Sequence, residues 1–266
     1  MRQQYKYIFC FKFFLMKKFV CITTVSHMRK EASHTAEIVS QLLLGEAAAF
    51  LEETKDFIRV KCLYDNYEGW CQKSQLTELT DDLPATSIFI NQAIGEVIVN
   101  DKPCRVSLAT PWFDKPISAK HFTIQYPSQK TVDTATIVFN EENIKAISFQ
   151  FLNTPYLWGG KSVLGIDCSG FTQQVFKMVN IFLRRDAYQQ AEQGESIGFL
   201  QEVKCGDLAF FDNDEGRITH VGILLNSETI IHSAGRVRVD NIDNAGIINV
   251  ETGERTHKLR IIKRYK

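Results

Sequence analysis

The sequence predicts an α+β protein in which β-rich segments come first and a mixed helix-and-sheet unit follows. Three observations carry this. Residues 17–140 alternate short apolar runs with turn residues and show no helical periodicity. Residues 141–152 and the stretch after Cys168 return to helical spacing. From residue 207 onward, strand-like runs follow one another to the end, so helices precede an antiparallel sheet within residues 141–266.

Length and composition set the outer bounds. At 266 residues there is room for two or three small domains. The 31 basic and 31 acidic residues balance, and no basic run tracks a phosphate backbone, which argues against a nucleic-acid partner. No stretch reaches the roughly 20 apolar residues a membrane helix needs, so no membrane partner is expected. The seven cysteines are odd in number and include no CxxC pair, which argues against a complete disulfide framework and against a zinc knuckle. This fits a reducing compartment. A cytoplasmic monomer without metal or cofactor is expected. Export to the cell envelope is the alternative, in which case Cys62 and Cys71, read as opposed across one hairpin, could pair.

The chain divides as follows. Residues 1–15, MRQQYKYIFCFKFFL, have the basic start and apolar patch of an export signal, but Lys12 interrupts the patch and no small-x-small site follows. They read as a tail or a spurious start before Met16. Residues 16–80 form a first β domain, with strands KFVCITTV, IVSQLLLG, AAAFLEET, FIRVKCLY and EGWCQKSQL and a hairpin tip at Asp65, Asn66 and Tyr67. Residues 81–140, punctuated by five prolines from Pro84 to Pro127, are β-rich at EVIVN, FTIQY and TATIVF and read as a second, divergent β domain. Residues 141–266 form the third unit. In EENIKAISFQFL, Ile144, Ile147, Ser148 and Phe151 share a helix face, with two glutamates in the first turn where the dipole favours them. LRRDAYQQAEQGESI reads as a polar connection, and DLAFF, HVGILL, TIIHSA, RVRV and KLRIIKRY read as strands.

Between the two helices lies TPYLWGGKSVLGIDCSG, a turn-rich run with four glycines that delivers Cys168 to a helix start. Phe171, Val175, Met178 and Val179 give that helix an apolar face, and Ser169 or Asp167 would cap it. A cysteine at its reference pKa is only about 3% thiolate near neutral pH, and a helix N-terminus favours the thiolate. A cysteine nucleophile needs a base and a group to orient that base. His220 opens HVGILL and His232 lies in TIIHSA. A hairpin centred on Asn226 would set them opposite each other on one face, Cβ atoms about 5 Å apart. His27, His34, His121 and His257 show no such arrangement. A zinc site built from Cys168, His220 and His232 is chemically possible but lacks a fourth ligand.

The pieces PYLWGG, GIDCSGF, RRDAYQQAEQG, GDLAFF, THVGILL and IIHSAG occur in this order over residues 141–266, which resemble the NlpC family of papain-like cell-wall cysteine endopeptidases. The MRKEAS loop, the LLLGE corner and the NYEGW tip resemble a bacterial SH3-like barrel, and the whole chain is similar to the dipeptidyl-peptidase VI type. The implied fold is a papain-like catalytic domain behind one or two SH3-like barrels. The implied activity is cleavage of the γ-D-glutamyl bond to a diamino acid in murein peptides with a free N-terminal L-alanine. The resemblance makes Cys168 the nucleophile, His220 the base and His232 its orienting residue. The Cys168 N–H and the Tyr156 hydroxyl would hold the oxyanion. Asp167 would take the substrate ammonium, with Trp158 and Ser169 lining the same pocket and Glu37 and Tyr67 walling it from the SH3-like side. At Ala187 the chain departs from a family pattern that often has serine. A non-catalytic murein-fragment binding module and a Cys–His acyltransferase or amidase remain the alternatives.

Overall fold

The computed structural model describes residues 17–266, and the expectations for residues 1–15 lie outside the described residues. Seven antiparallel strands make the first sheet: β1 (Lys18–Cys21), β2 (Val25–Arg29), β3 (Ile38–Leu43), β4 (Ala47–Glu53), β5 (Phe57–Cys62), β6 (Glu68–Gln72) and β7 (Leu76–Glu78). Their order is β3-β2-β6-β5-β4-β1-β7, and Met28, Leu42, Ile58, Val60 and Cys71 fill the core between them. KFVCITTV is not one strand. It stops at Cys21, Thr24 donates its hydroxyl to the Arg105 carbonyl at 2.7 Å, and a new strand begins at Val25. Nor are Cys62 and Cys71 opposed. The β5–β6 tip starts at Cys62, whose amide bonds the Tyr67 carbonyl, so Cys71 faces Ile58 instead. Both thiols are buried and free.

Residues 81–140 give β8 (Ile88–Ile90), β9 (Ile94–Val99), β10 (Lys102–Ser107), β11 (Ile117–Ala119), β12 (Phe122–Gln125) and β13 (Thr131–Asp133). They form a four-stranded sheet, β10-β9-β12-β11, and a separate β13-β8 ribbon. TATIVF is a turn rather than a strand. The Asp133 carboxylate accepts the Ala135 amide and folds the chain back locally. Ile137 and Phe139 then pack on the core of the following unit.

That unit begins with α1 (Glu141–Ser148), capped by the Asn140 side chain, which accepts from the Asn143 amide. A 3-10 turn, Phe149–Phe151, extends it, and Ile144, Ile147, Ser148 and Phe151 are all buried. The glycine-rich run folds as a minimal hairpin, β14 (Lys161–Ser162) and β15 (Gly165–Ile166), leading into α2 (Cys168–Lys177). The stretch read as a polar connection holds a helix, α3 (Ala187–Ala191). The final sheet contains β16 (Glu195–Ile197), β17 (Leu208–Asp212), β18 (Ile218–Leu224), β19 (Thr229–Ala234), β20 (Arg236–Asp243), β21 (Gly246–Ile248) and β22 (Arg255–Arg264). Its order is β16-β22-β17-β18-β19-β20-β21, and β21 also pairs with β22, so the sheet curls onto itself.

All ten residues of α2 are buried, polar ones included. One side packs on β18 and β19. The other is covered by the N-terminal sheets through a buried set of charges. Lys177 donates to Glu46 at 2.7 Å and to the Ala109 carbonyl, Gln173 donates to Asp65, and Lys161 lies 3.7 Å from Asp65 and 4.0 Å from Glu46. Burial alone would raise the Glu46 pKa, but Lys177 and Lys161 outweigh it and hold the carboxyl below its ordinary value. A depressed carboxyl stabilises the fold fully above the unfolded glutamate pKa and loses that contribution as pH falls through the folded value. Glu46→Ala strands a buried lysine and is expected to cost about 3–5 kcal/mol in urea unfolding at neutral pH. The deficit should shrink in acid, where the wild type loses the same pair.

Candidate active site

Cys168 is the first residue of α2, and the turn before it is held by close backbone approach. A side-chain carbon at Gly170 would fall 2.2 Å from the Gly160 carbonyl, so only glycine lets the helix start sit against this turn. Asp167, not Ser169, is the N-cap: its Oδ1 accepts the Gly170 amide at 2.6 Å. The thiol does not rest as a thiolate. Burial pushes it up to about 12, Asp167 adds to this, and the backbone of Val221 and Ser169 opposes only in part. At this site desolvation outweighs the backbone hydrogen bonds and the Arg185 charge that favour the thiolate.

His220 and His232 share one face but are not opposed. The β18–β19 register pairs Gly222 with His232, so His220 sits two residues farther along β18. The diagonal is short enough for a direct bond, His220 Nε2 to His232 Nδ1, at 2.9 Å. The chain of bonds continues to Asp240 on β20, whose Oδ2 lies 2.9 Å from His232 Nε2. Burial works to raise the Asp240 carboxyl, but His232, the Val250 amide and Arg238 hold it at about 2. An ionised Asp240 only accepts, so His232 carries its proton on Nε2 and accepts at Nδ1. His220 therefore carries its own proton on Nε2, and its Nδ1 lone pair is the free base. Burial, then His232 and His257, lowers the His220 pKa, so the imidazole rests neutral. Asp240 was missing from the sequence reading because only strand pairing brings it to His232. His257 was set aside there, yet its ring stacks on His220 with centroids 4.1 Å apart.

Cys168 opens on a cavity of about 530 Å³. Tyr156, Trp158, Asp167, Ser169, Glu37 and Tyr67 all line it, so the structure brings together every sequence-assigned residue of the pocket. Tyr156 forms a bridge with Ile166, two residues before Cys168. Burial, with Cys168 and Asp167, raises the Tyr156 pKa, so its hydroxyl stays a donor. Trp158 is exposed rather than core, and its indole N–H donates to Glu37 at 2.8 Å across the two domains. Asp167 differs most from expectation. Its oxygens accept five hydrogen bonds, from the Gly159 and Gly170 amides, the Ser169 hydroxyl and both terminal nitrogens of the buried Arg185. Its charge is already matched, and no acceptor position is left for an ammonium. Arg185 was hidden in the supposed polar connection. Beside it, Asp186 caps α3 in a capping box with Gln189 and accepts the Tyr67 hydroxyl at 3.2 Å, and burial raises its pKa despite Arg185. The lining holds four carboxylates (Glu37, Asp167, Asp186, Glu215) against two guanidiniums (Arg185, Arg217), a field that favours a cationic guest.

Known proteins match along the same lines. Residues 153–256 match the NlpC/P60 family, and residues 28–76 match the bacterial dipeptidyl-peptidase SH3 domain. A gamma-D-glutamyl-L-lysine dipeptidyl-peptidase of Bacillus subtilis (strain 168) is 45% identical over 85 residues, 31% of this chain and only 28% of that protein. Dipeptidyl-peptidase 6 of Lysinibacillus sphaericus is 25% identical over 258 residues, 84% of this chain and 91% of that protein. The crystal structure of an NlpC/P60 family protein from Bacillus cereus ATCC 10987 superposes with a TM-score of 0.77 over 93% of this chain and 99% of that one, at 18% identity, which speaks to the fold. With a cysteine at a helix start and a histidine-based relay on the sheet packed against that helix, the chain is a cysteine peptidase that carries an NlpC/P60 domain at residues 153–256, preceded by a bacterial dipeptidyl-peptidase SH3 domain at residues 28–76.

Proposed function

We propose that the chain hydrolyses the γ-D-glutamyl bond to a diamino acid in murein stem peptides that carry a free N-terminal L-alanine. The observation that carries this is the carboxylate-rich cavity at Cys168, walled on one side by Glu37 and Tyr67 of the SH3 domain. Such a wall admits a short peptide end, and the net negative lining suits its ammonium. The names of the relatives point the same way.

In the reaction, His220 Nδ1 takes the thiol proton as Cys168 Sγ attacks the γ-carbonyl. The oxyanion is held by the Cys168 amide and the Tyr156 hydroxyl. Collapse expels the diamino acid amine, which receives the proton from His220. Water then enters, His220 takes one of its protons, hydroxide attacks the thioester, and L-Ala-D-Glu leaves as Cys168 recovers its proton. Asp186, with the Tyr67 hydroxyl beside it, receives the substrate ammonium in place of Asp167. Burial raises its pKa, and an arriving ammonium would offset that cost. The six described cysteines are all free, which supports placing the reaction in the reducing cytoplasm, on stem peptides released from the wall.

Mass-spectrometric cleavage of L-Ala-γ-D-Glu-diaminopimelate, its L-lysine analogue and their N-acetyl forms tests the reading. The free-amine peptides should be cut at least about 10²-fold faster than the acetylated ones. Asp186→Asn should narrow that gap mainly through KM. Equal cutting of both forms would remove the amine pocket. Peptide binding without cleavage would favour a binding module, and preference for another acyl donor would favour an acyltransferase.

A further inference from the structure

We propose that His257 is a positioning residue for the catalytic base, its ring serving as a stacking plate that fixes the plane of His220. The proposal rests on reading His220 as the base of a cysteine peptidase. An in-plane bond to His232 fixes where His220 Nε2 points, but it leaves the ring free to rock about the axis of that bond. Only contact on a ring face removes this freedom. His257, from β22, supplies it: the two rings are near-parallel at 25°, with centroids 4.1 Å apart. Phe211 of β17 tilts against His220 at 5.7 Å and meets His257 edge-on at 5.9 Å, and His232 stands edge-on to both histidines. The base is thus held by three strands besides its own, and the Nδ1 lone pair keeps one direction.

The stack also bears on charge. When His220 accepts the thiol proton it becomes an imidazolium, and a neutral aromatic face beside a cation stabilises it. A charged plate would do the reverse. Burial, then His232, lowers the His257 pKa to about 4, with Asp240 opposing, so the plate is neutral in the working range. The charged and titratable groups around it are His220 on β18, His232 on β19, Asp240 on β20 with Arg238 bonded to it, and Asp212 on β17. Its own strand adds Arg255, which pairs with Asp243, and Lys258, while β21 presents Ile247. His257 Nδ1 is 2.9 Å from the Thr256 hydroxyl, which holds the plate itself.

The test uses the full chain with His257→Ala, His257→Gln, His257→Phe and His257→Lys. It reads kcat and KM on the tripeptide L-Ala-γ-D-Glu-diaminopimelate across pH, and the pH dependence of Cys168 alkylation by iodoacetamide. Alanine and glutamine should each lower kcat about tenfold with little change in KM, as loss of orientation does. Phenylalanine, which keeps the stack, should recover much of that loss. Lysine should lower kcat further and move the acidic limb of kcat/KM and of alkylation to lower pH, since a fixed cation disfavours the imidazolium. Wild-type kcat and pH profile in both the alanine and glutamine variants would overturn the proposal. So would a phenylalanine variant as slow as alanine, or a loss confined to KM, which would make His257 part of the substrate wall. Should alanine or lysine unfold the chain, as a thermal melt would reveal, the glutamine–phenylalanine pair decides alone. A wild type that fails to cut the tripeptide would overturn the peptidase reading instead, while alkylation would still report on His220.

Discussion

Cys168→Ala is expected to lower tripeptide hydrolysis by about 10⁶-fold, the loss seen when the nucleophile of a triad-type site is removed. The substitution deletes one atom from a side chain that is 6% exposed. It leaves the cap on Asp167, the close contact at Gly170 and the packing of α2 on β18 in place. Tyr156, Asp186 and Tyr67 do not depend on the sulfur, so substrate binding should persist. Single-turnover mass spectrometry together with calorimetric titration of the uncut peptide separates the two quantities. Cleavage above about one per cent of wild type would mean that the thiol is not the attacking group.

Asp240→Asn should reduce kcat by about 10⁴-fold at nearly constant KM, in line with the wrong-tautomer effect at triads. The direction follows from which oxygen does what. Oδ1 of Asp240 accepts from Arg238 and from the Val250 amide. In asparagine that position keeps the oxygen, which turns the amide NH2 toward His232 Nε2. His232 would then accept at Nε2 and carry its proton on Nδ1, donating it to His220 Nε2. The His220 proton moves to Nδ1, the atom that takes the proton from Cys168. The base is blocked by one misplaced hydrogen while every heavy atom keeps its place. An asparagine variant within tenfold of wild type would show that the relay ends at His232.

How much of this could be read from the sequence follows from the distances over which each signal acts. The cysteine at a helix start was legible because glycines, a capping aspartate and helical spacing lie within a few residues of Cys168. The shared face of His220 and His232 was legible because strand side chains alternate with a period of two. The expected opposition failed because the hairpin turns about Ser227 rather than Asn226. A one-residue shift of the centre moves each partner by two positions, which keeps the face and changes the neighbour. The Cys62–Cys71 pairing failed in the same way, through a longer tip. Asp240 and His257 were out of reach, since they arrive on strands β20 and β22 whose neighbours no local pattern names. Arg185 looked like a solvated charge because its burial depends on Asp167, distant in sequence and adjacent in space. The same pairing, out of sight in the sequence, occupies the Asp167 oxygens with donors from the protein itself. TATIVF was misread because its apolar residues serve a neighbouring core rather than a sheet.

The enclosure of α2 has a consequence for the order in which the molecule is made. Synthesis releases the N-terminal sheets first, then the helix that begins at Cys168, then the sheet that covers its other side. The last strand, β22, does not lie at the margin of that sheet but between β16 and β17. A nascent chain that has already exposed Cys168 to the ribosome exit therefore lacks the middle of the sheet that carries His220. Its thiol is present long before its base is framed. Hydrolytic competence waits for β22, so a chain halted before that strand is left without the power to cut.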